Sequence, residues 1–303
     1  MKNTYKDIVN LFKSVFAGFS DDNVTKLSGS LAYSTVFSLG PLLIIIISLC
    51  SIFLGKAAVE GKIYAQLAQF IGGETATQLQ QLIKNAALNG KSKIAFAVGA
   101  IALLIGATAV FSEIQGSINI IWGIKSKPKK GWLKFLQNRF LSFSVIVSLG
   151  FLLLISLTIN SVVDALNNRL QMHFQNITIV VFYVANFIIT FIITSVIFAV
   201  IFKVLPDAII KWKDIIAGAV GTALLFMLGK FVISFYITKS NVGSTYGAAG
   251  SLVILLLWVY YSSIILYLGA EITKAYVTRN GGQIQPNEYA VTIKTIEGKE
   301  HGN

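Results

Sequence analysis

Long apolar stretches alternate with short polar segments along most of this chain. A hydrocarbon core about 30 Å thick needs about 20 apolar residues of helix to cross it. The stretches that meet this length are residues 31–54, 94–121, 141–163, 177–202, 215–237 and 251–270. The pattern therefore predicts an all-α, polytopic membrane helix bundle with about six transmembrane helices.

Short amphipathic helices are predicted outside these spans. One lies near the N-terminus, where apolar residues recur at helical spacing: Ile8, Leu11, Phe12, Val15, Phe16 and Phe19. Lys6 and Lys13 accompany them, which is typical of a helix lying in the cytoplasmic leaflet of the membrane. A helix packed on the bundle is the alternative. A second amphipathic helix is predicted in the loop after the first span, around Leu79, Leu82, Ile83 and Ala86.

Composition excludes an ordinary soluble protein. Of the 303 residues, 55% are hydrophobic and only 13% are charged, whereas soluble domains contain roughly 25% charged residues. So few charges cannot cover a protein surface of this size. The remaining apolar surface must face lipid.

The net charge of +12 does not indicate a nucleic-acid partner, because the basic residues follow the positive-inside rule. They concentrate in the N-terminal segment, the loops after the second and fourth spans, and the C-terminal segment. Both termini are therefore predicted to be cytoplasmic. The predicted organisation is a cytoplasmic N-terminal segment with the interfacial helix (1–30), a six-span transmembrane domain (31–273) and a flexible cytoplasmic tail (274–303).

Lys230 interrupts the fifth span, where a lysine is costly and suggests a functional role. It lies 15 residues after Ile215, or roughly 22 Å along the helix. Asn186, Tyr260 and Tyr261 fall near the same depth. These four residues form a predicted polar layer that binds substrate. The alternative is that Lys230 only extends its ammonium group to the lipid headgroups.

Two further features concern the shape and packing of the spans. Gly40 and Pro41 predict a kink in the first span, because Pro41 has no amide donor and pushes against the preceding turn. Broken helices often line transport sites, but many kinks serve packing alone. Ala217, Gly218 and Gly221 predict close packing of the fifth span against a neighbour.

Catalytic chemistry finds little support in the sequence. The chain has two histidines, His173 and His301, which do not have the spacing of metal ligands. The GxxxxGK[ST] phosphate-binding pattern does not occur. We predict no catalytic residues, no metal site, no cofactor and no enzyme activity.

Four segments of the chain form a recognisable set: LAYSTVFSLGPLL (31–43), SINIIWGI (117–124), LPDAIIKWKDIIAGA (205–219) and YGAAGSLVILLLWVYYSSIILYLGAEIT (246–273). In combination and order they resemble the YihY / virulence factor BrkB family of bacterial inner-membrane proteins, and the likeness covers roughly residues 24–277. The residues of these motifs that we single out are Asn119, Trp122, Pro206, Tyr246, Gly247, Trp258, Gly269 and Glu271. The family pattern often has alanine before Leu-Asn, whereas Ser117 and Ile118 precede Asn119 here.

The resemblance implies six spans in the bacterial inner membrane and no established enzyme activity. Family members have been linked to serum resistance and to movement of envelope lipids, and some carry the label ribonuclease BN. We therefore predict a transporter-like protein that moves an anionic or amphipathic envelope molecule, such as a lipid. A membrane scaffold of envelope biogenesis is the alternative. A ribonuclease is the weakest interpretation, because metal-assisted RNA cleavage needs clustered acidic or histidine ligands. The expected partners are membrane lipids, and no oligomeric state is predicted.

Overall fold

The computed structural model of the chain describes residues 2–38, 93–127, 177–239, 246 and 250–293. Long helices account for most of these residues. We label them α1 (Lys2–Asp21), α2 (24–38), α3 (Lys93–Ile121), α4 (Ile177–Val204), α5 (Trp212–Lys239) and α6 (Gly250–Arg279). The short strands are β1 (Ile124–Ser126), β2 (Ala208–Ile209), β3 (Gln285–Pro286) and β4 (Ala290–Thr292). The predicted all-α membrane fold is confirmed, with two short β ladders added to it.

Three of the described helices contain windows long and apolar enough to cross a membrane. These windows are Phe187–Val204 in α4, Trp212–Lys230 in α5 and Leu252–Arg279 in α6. Only 22% to 28% of each window is buried within the protein. The outward apolar side chains, including Leu228, Val232 and Phe235, have the exposure expected of a lipid-facing surface. A helix suits this environment because it satisfies its own backbone hydrogen bonds where water is absent.

The other predicted spans are described in part. Helix α3 begins at Lys93 and ends at Ile121, one residue from the predicted start and at the predicted end of the second span. Helix α2 covers the beginning of the first span as far as residue 38. The third span, the kink at Gly40 and Pro41, and the amphipathic helix around Leu79 lie outside the described residues. The count of six spans remains a prediction.

The described residues form two compact units. The first comprises Met1–Val24, Gln115–Leu228 and Ile265–Asn303. Its core includes the fully buried Ile118, Ile121, Phe202, Ile215 and Tyr267. Helices α5 and α6 pack closely here through small residues: a Cβ atom added to Gly218 would overlap the Thr273 side chain, and one added to Gly269 would overlap Thr222. Gly218 thus has the packing role predicted from its sequence context.

The segment after α6 belongs to the first unit and is regular as far as residue 293. Helix α6 ends in a Schellman motif, in which Gly281 has a φ of +70° and Gly282 N–H donates to the Val277 carbonyl at 3.0 Å. The chain then forms β3, which pairs antiparallel with β2, and β4, which pairs antiparallel with β1. We expected a flexible tail from 274 onward. In the described part of that segment, residues 274–279 continue α6, and β3 and β4 are held by pairing with β2 and β1.

The second unit comprises Thr25–Ile114 and Gly229–Ile264. Within it, α2 and α3 approach closely, since a Cβ atom added to Gly106 would lie 2.9 Å from the Ser38 hydroxyl oxygen. Tyr261 of α6 packs in the same way against Gly229 of α5. The Trp258 and Tyr261 rings meet edge to face with centroids 6.3 Å apart.

Candidate functional site

Three residues of the predicted polar layer, Lys230, Tyr260 and Tyr261, lie in the part of the chain that the structure describes. Lys230 lies on α5 with an exposed side chain. Tyr261 contacts Gly229 of α5, whereas the Tyr260 ring lies 4.0 Å from a Cβ position built on Gly29 of α2. The two tyrosines therefore point toward different helices. The side chain of Asn186 lies outside the described set, so a substrate role for these residues remains a prediction.

A buried polar cluster lies in the first unit, where α4 gives way to β2. Asp207 is only 5% exposed. Its Oδ2 atom accepts hydrogen bonds from Asn119 Nδ2 at 3.1 Å and from Ser126 Oγ at 2.6 Å. Asn119 Oδ1 in turn accepts from the Asp207 backbone N–H at 2.9 Å. The Asp207 carbonyl accepts from Asn287 N–H at 3.0 Å, and the Asn287 amide is 3.4 Å from Asp207 Oδ1.

This group, Asn119, Ser126, Asp207 and Asn287, we call the Asp207 cluster. It joins the end of α3, the loop after α4 and the segment after α6. Pro206 helps to place Asp207, because proline disfavours helical geometry in the residue before it and α4 ends at Val204. The bonds that Asp207 makes to these groups satisfy a buried carboxylate, so the arrangement is suited to holding segments together.

A second contact ties α3 to α6. The Trp122 indole N–H donates to the Ala270 carbonyl at 3.0 Å, and both residues are buried.

Glu271, the residue after Ala270, is 1% exposed and packs against Gly18 of α1. A Cβ atom added to Gly18 would lie 2.9 Å from Glu271 Oε1. Glycine is therefore needed where α1 crosses this carboxylate.

The Glu271 carboxylate is only partly satisfied. Its Oε2 atom lies 3.6 Å from Lys274 Nζ, but that ammonium group donates at 2.7 Å to Asp22 Oδ2. Glu271 Oε1 is buried and has no hydrogen-bond partner among the described residues. Burying a carboxylate oxygen without a partner is unfavourable. Ionisable groups buried at the edge of a membrane domain are by default candidates for function.

A cavity of about 570 Å³ lies beside Glu271, between α1 and the C-terminal part of α6. Helix α1 contributes Asn10, Leu11, Ser14, Ala17, Gly18 and Asp21. Helix α6 contributes Glu271, Lys274, Ala275, Thr278 and Arg279. The lining therefore combines acidic, basic and apolar groups within a single cavity.

The position of Glu271 along α6 gives the depth of this cavity. From Leu252, where the apolar window begins, Glu271 is 19 residues away, or roughly 28 Å along the helix. That distance is close to the hydrocarbon thickness of about 30 Å. In an upright helix that enters the hydrocarbon layer at Leu252, Glu271 would lie close to the far edge of that layer, and the residues from Lys274 to Arg279 would lie beyond it.

Helix α1 has the amphipathic character predicted from its sequence. It contacts the rest of the first unit through Val15, which is 4% exposed, and through Gly18. Phe12 and Phe16 are 57% and 67% exposed, one helical turn apart. The helix thus packs against protein on one side and presents apolar rings on another, and its location in the cytoplasmic leaflet remains a prediction.

Comparison with known proteins identifies the family. A model of the virulence factor BrkB family matches residues 15–291. The chain belongs to the BrkB family. Its relatives in that family are named UPF0761 membrane proteins, and it is 30% identical to one from Pseudoalteromonas atlantica over 87% of this chain and 85% of the relative. It is 28% identical to one from Vibrio vulnificus (86% and 80%) and 26% identical to one from Haemophilus influenzae (84% and 90%). No solved structure matches the chain.

The BrkB-family motif residues are distributed unevenly over the structure. The buried ones lie in the first unit: Asn119, Trp122, Pro206, Gly269 and Glu271. Trp258 is half-buried and Tyr246 is exposed, both in the second unit. Gly247 lies outside the described residues. The motifs thus mark the Asp207 cluster, the Trp122 contact and the cavity beside Glu271.

Sequence reasoning did not assign Asp22, Asp207 or Lys274 to a site, nor Ser126 and Asn287 of the Asp207 cluster. Asp207 lies inside the quoted LPDAIIKWKD segment but was not singled out. Glu271 and Lys274 could have been recognised from their position immediately after a long apolar stretch, because a carboxylate close to a lysine is unusual there.

Proposed function

We propose that this BrkB-family membrane protein is a transporter-like protein of the bacterial inner membrane that moves an anionic or amphipathic envelope molecule. The observation that carries the proposal is the cavity between α1 and α6. It combines charged groups with apolar lining, and counting along α6 from Leu252 puts it near the edge of the hydrocarbon layer, where the headgroups of amphipathic molecules reside. The family relationship identifies a membrane protein of the BrkB family, and transport activity, substrate and inner-membrane location belong to the proposal.

The size and chemistry of the cavity fit a headgroup. Ligand sites commonly measure about 300 to 1,000 Å³, so 570 Å³ is a suitable volume. Lys274 and Arg279 offer cationic groups to a phosphate or carboxylate. Leu11, Ala17 and Ala275 offer apolar contact to the adjoining carbon atoms. By the positive-inside rule, we place both termini, and with them this cavity, on the cytoplasmic side.

The test uses a matched pair of serine substitutions on α1. Ser14 lines the cavity, whereas Ser20 is exposed on the same helix and is not among the lining residues. Ser14→Trp places a large ring in the cavity, and Ser20→Trp makes the same chemical change outside it. Each protein is extracted with its surrounding lipids and examined by native mass spectrometry.

We expect wild type and Ser20→Trp to retain the same amphipathic molecule, and Ser14→Trp to lose it. Equal retention by all three proteins contradicts a site in this cavity. A protein that carries no specific amphipathic molecule contradicts the proposed function itself.

A membrane scaffold is the second candidate, and the Asp207 cluster favours it. The cluster links three separate segments by buried hydrogen bonds, which would hold the surface around it in one shape for a partner protein. Under this hypothesis, Ser14→Trp leaves envelope function intact.

A further inference from the structure

We infer that the cavity binds a primary ammonium group joined to a phosphate, as in the headgroup of an aminophospholipid. This inference rests on the proposed function and names the class of its substrate. The essential observation is that the cavity contains acidic and basic groups together, which suits a zwitterion better than a simple anion.

The ammonium position is given by Glu271. This residue is 1% exposed and lines the cavity, and its Oε1 atom lacks a hydrogen-bond partner among the described residues. Lys274 does not supply the missing donor, because its ammonium group lies 2.7 Å from Asp22 Oδ2 and faces Glu271 through Oε2 at 3.6 Å. A ligand ammonium group has three N–H donors, one of which Glu271 Oε1 accepts. Asp21 provides a second carboxylate in the same lining.

The phosphate position is given by the next two turns of α6. Lys274, Thr278 and Arg279 follow Glu271 by three, seven and eight residues, so all three share the helix face that lines the cavity. The guanidinium group of Arg279 offers the planar pair of donors that suits phosphate oxygens. The headgroup would then lie along the axis of α6, with its ammonium near Glu271 and its phosphate toward Arg279.

Apolar groups at the same place favour a lipid as the source of this headgroup. Leu11 and Ala17 line the cavity on α1. On another side of α1, Phe12 and Phe16 expose their rings. A headgroup held in the cavity would leave its acyl chains free to run along this apolar surface.

The test compares three lipids that differ in the amine. Purified full-length protein in detergent is offered equal amounts of phosphatidylethanolamine, phosphatidylcholine and phosphatidylglycerol, and bound lipids are counted by native mass spectrometry. Phosphatidylcholine is the sharpest comparison, because its quaternary ammonium has no N–H to donate to Glu271. We expect a preference of about tenfold for phosphatidylethanolamine, as one hydrogen bond to a charged group supplies.

Glu271→Gln keeps the size of the side chain and removes its charge, so this preference should fall to within about twofold. Asp21→Asn provides a second variant at an exposed position and should weaken the preference without disturbing the fold. Glu288→Gln makes the same change as Glu271→Gln on an exposed residue outside the cavity and should retain wild-type selectivity. Full selectivity in both Glu271→Gln and Asp21→Asn would overturn the inference.

The outcomes separate this inference from the proposed function. If all three lipids bind equally and Ser14→Trp removes them, the proposed function stands and the aminophospholipid assignment fails. If no lipid binds in the cavity, both fail. Glycerophosphoethanolamine, the water-soluble headgroup, is offered in a parallel experiment. If it binds more weakly than phosphatidylethanolamine, the ligand is a lipid. If the two bind equally well, the ligand is a soluble compound with the same headgroup chemistry.

Discussion

Replacement of Asp207 by alanine should destabilise the protein more than any surface substitution. The change removes an acceptor for Asn119 Nδ2 at 3.1 Å and Ser126 Oγ at 2.6 Å. Hydrogen bonds to charged groups contribute about 1.5 to 3 kcal/mol each. The Asn119 amide is also left buried, at 3% exposure, without this acceptor. We therefore expect Asp207→Ala to lower the free energy of unfolding by about 3 to 5 kcal/mol.

The measurement is the free energy of reversible unfolding in detergent micelles. It is made for wild type, Asp207→Ala, Asn119→Ala and the double variant, which together form a double-mutant cycle. Because Asn119 Nδ2 donates to the Asp207 carboxylate and each single variant removes that bond, the double variant should lose clearly less stability than the sum of the single variants. Glu288→Ala, at an exposed position, is the control and should change stability by less than about 0.5 kcal/mol. An Asp207→Ala loss below about 1 kcal/mol, or strict additivity with Asn119→Ala, would refute the reasoning.

Four other predictions follow from the sequence and the structure. Gly218→Ala should lower thermal stability, because the added methyl group overlaps Thr273. Gly116→Ala has nothing within 4 Å of the new atom, so it should leave the stability unchanged or raise it by up to about 1 kcal/mol. Equal melting temperatures for the two variants would contradict this packing. In a Cys50→Ala background, Asn3→Cys and Ser240→Cys should react with impermeant reagents from opposite sides of the membrane, and labelling from the same side argues against six spans. Purified protein should cleave RNA no faster than a mock preparation; cleavage abolished by a point substitution in this chain would overturn that expectation. Lys230→Leu should abolish complementation of an envelope-stress phenotype and Lys230→Arg should retain part of it, because the charge survives; full activity of the leucine variant would eliminate a substrate role for Lys230.

The helices were predictable because the membrane fixes their length. Helix α3 was placed to within one residue at its start and at its end, since its apolar run determines both boundaries. Helix α6 shows the limit of that signal. Its predicted span ended at Ala270, but the helix continues to Arg279. Hydropathy detects the hydrocarbon layer, whereas the helix extends beyond it through polar residues.

The candidate site was less predictable, because it depends on contacts between distant segments. Asn119 and Asp207 are 88 residues apart in sequence. Strands β2 and β3 contain two residues each, too few to show alternation of polar and apolar residues. The predicted polar layer depends on helix rotation, which depth alone does not give: Tyr260 and Tyr261 point toward different helices, and a joint substrate role with Lys230 and Asn186 stays a prediction. Asp22 lies 252 residues before Lys274, and the ion pair between them requires the packing of α1 on α6.

We propose that the protein moves an amphipathic molecule by way of the cavity between α1 and α6. The most direct measurement is the rate at which a fluorescent phospholipid crosses the bilayer of proteoliposomes that contain wild type, Ser14→Trp or Ser20→Trp. We predict movement faster than in protein-free liposomes for wild type and Ser20→Trp, and a rate near the protein-free background for Ser14→Trp. A wild-type rate equal to that background, or undiminished movement by Ser14→Trp, would contradict the claim.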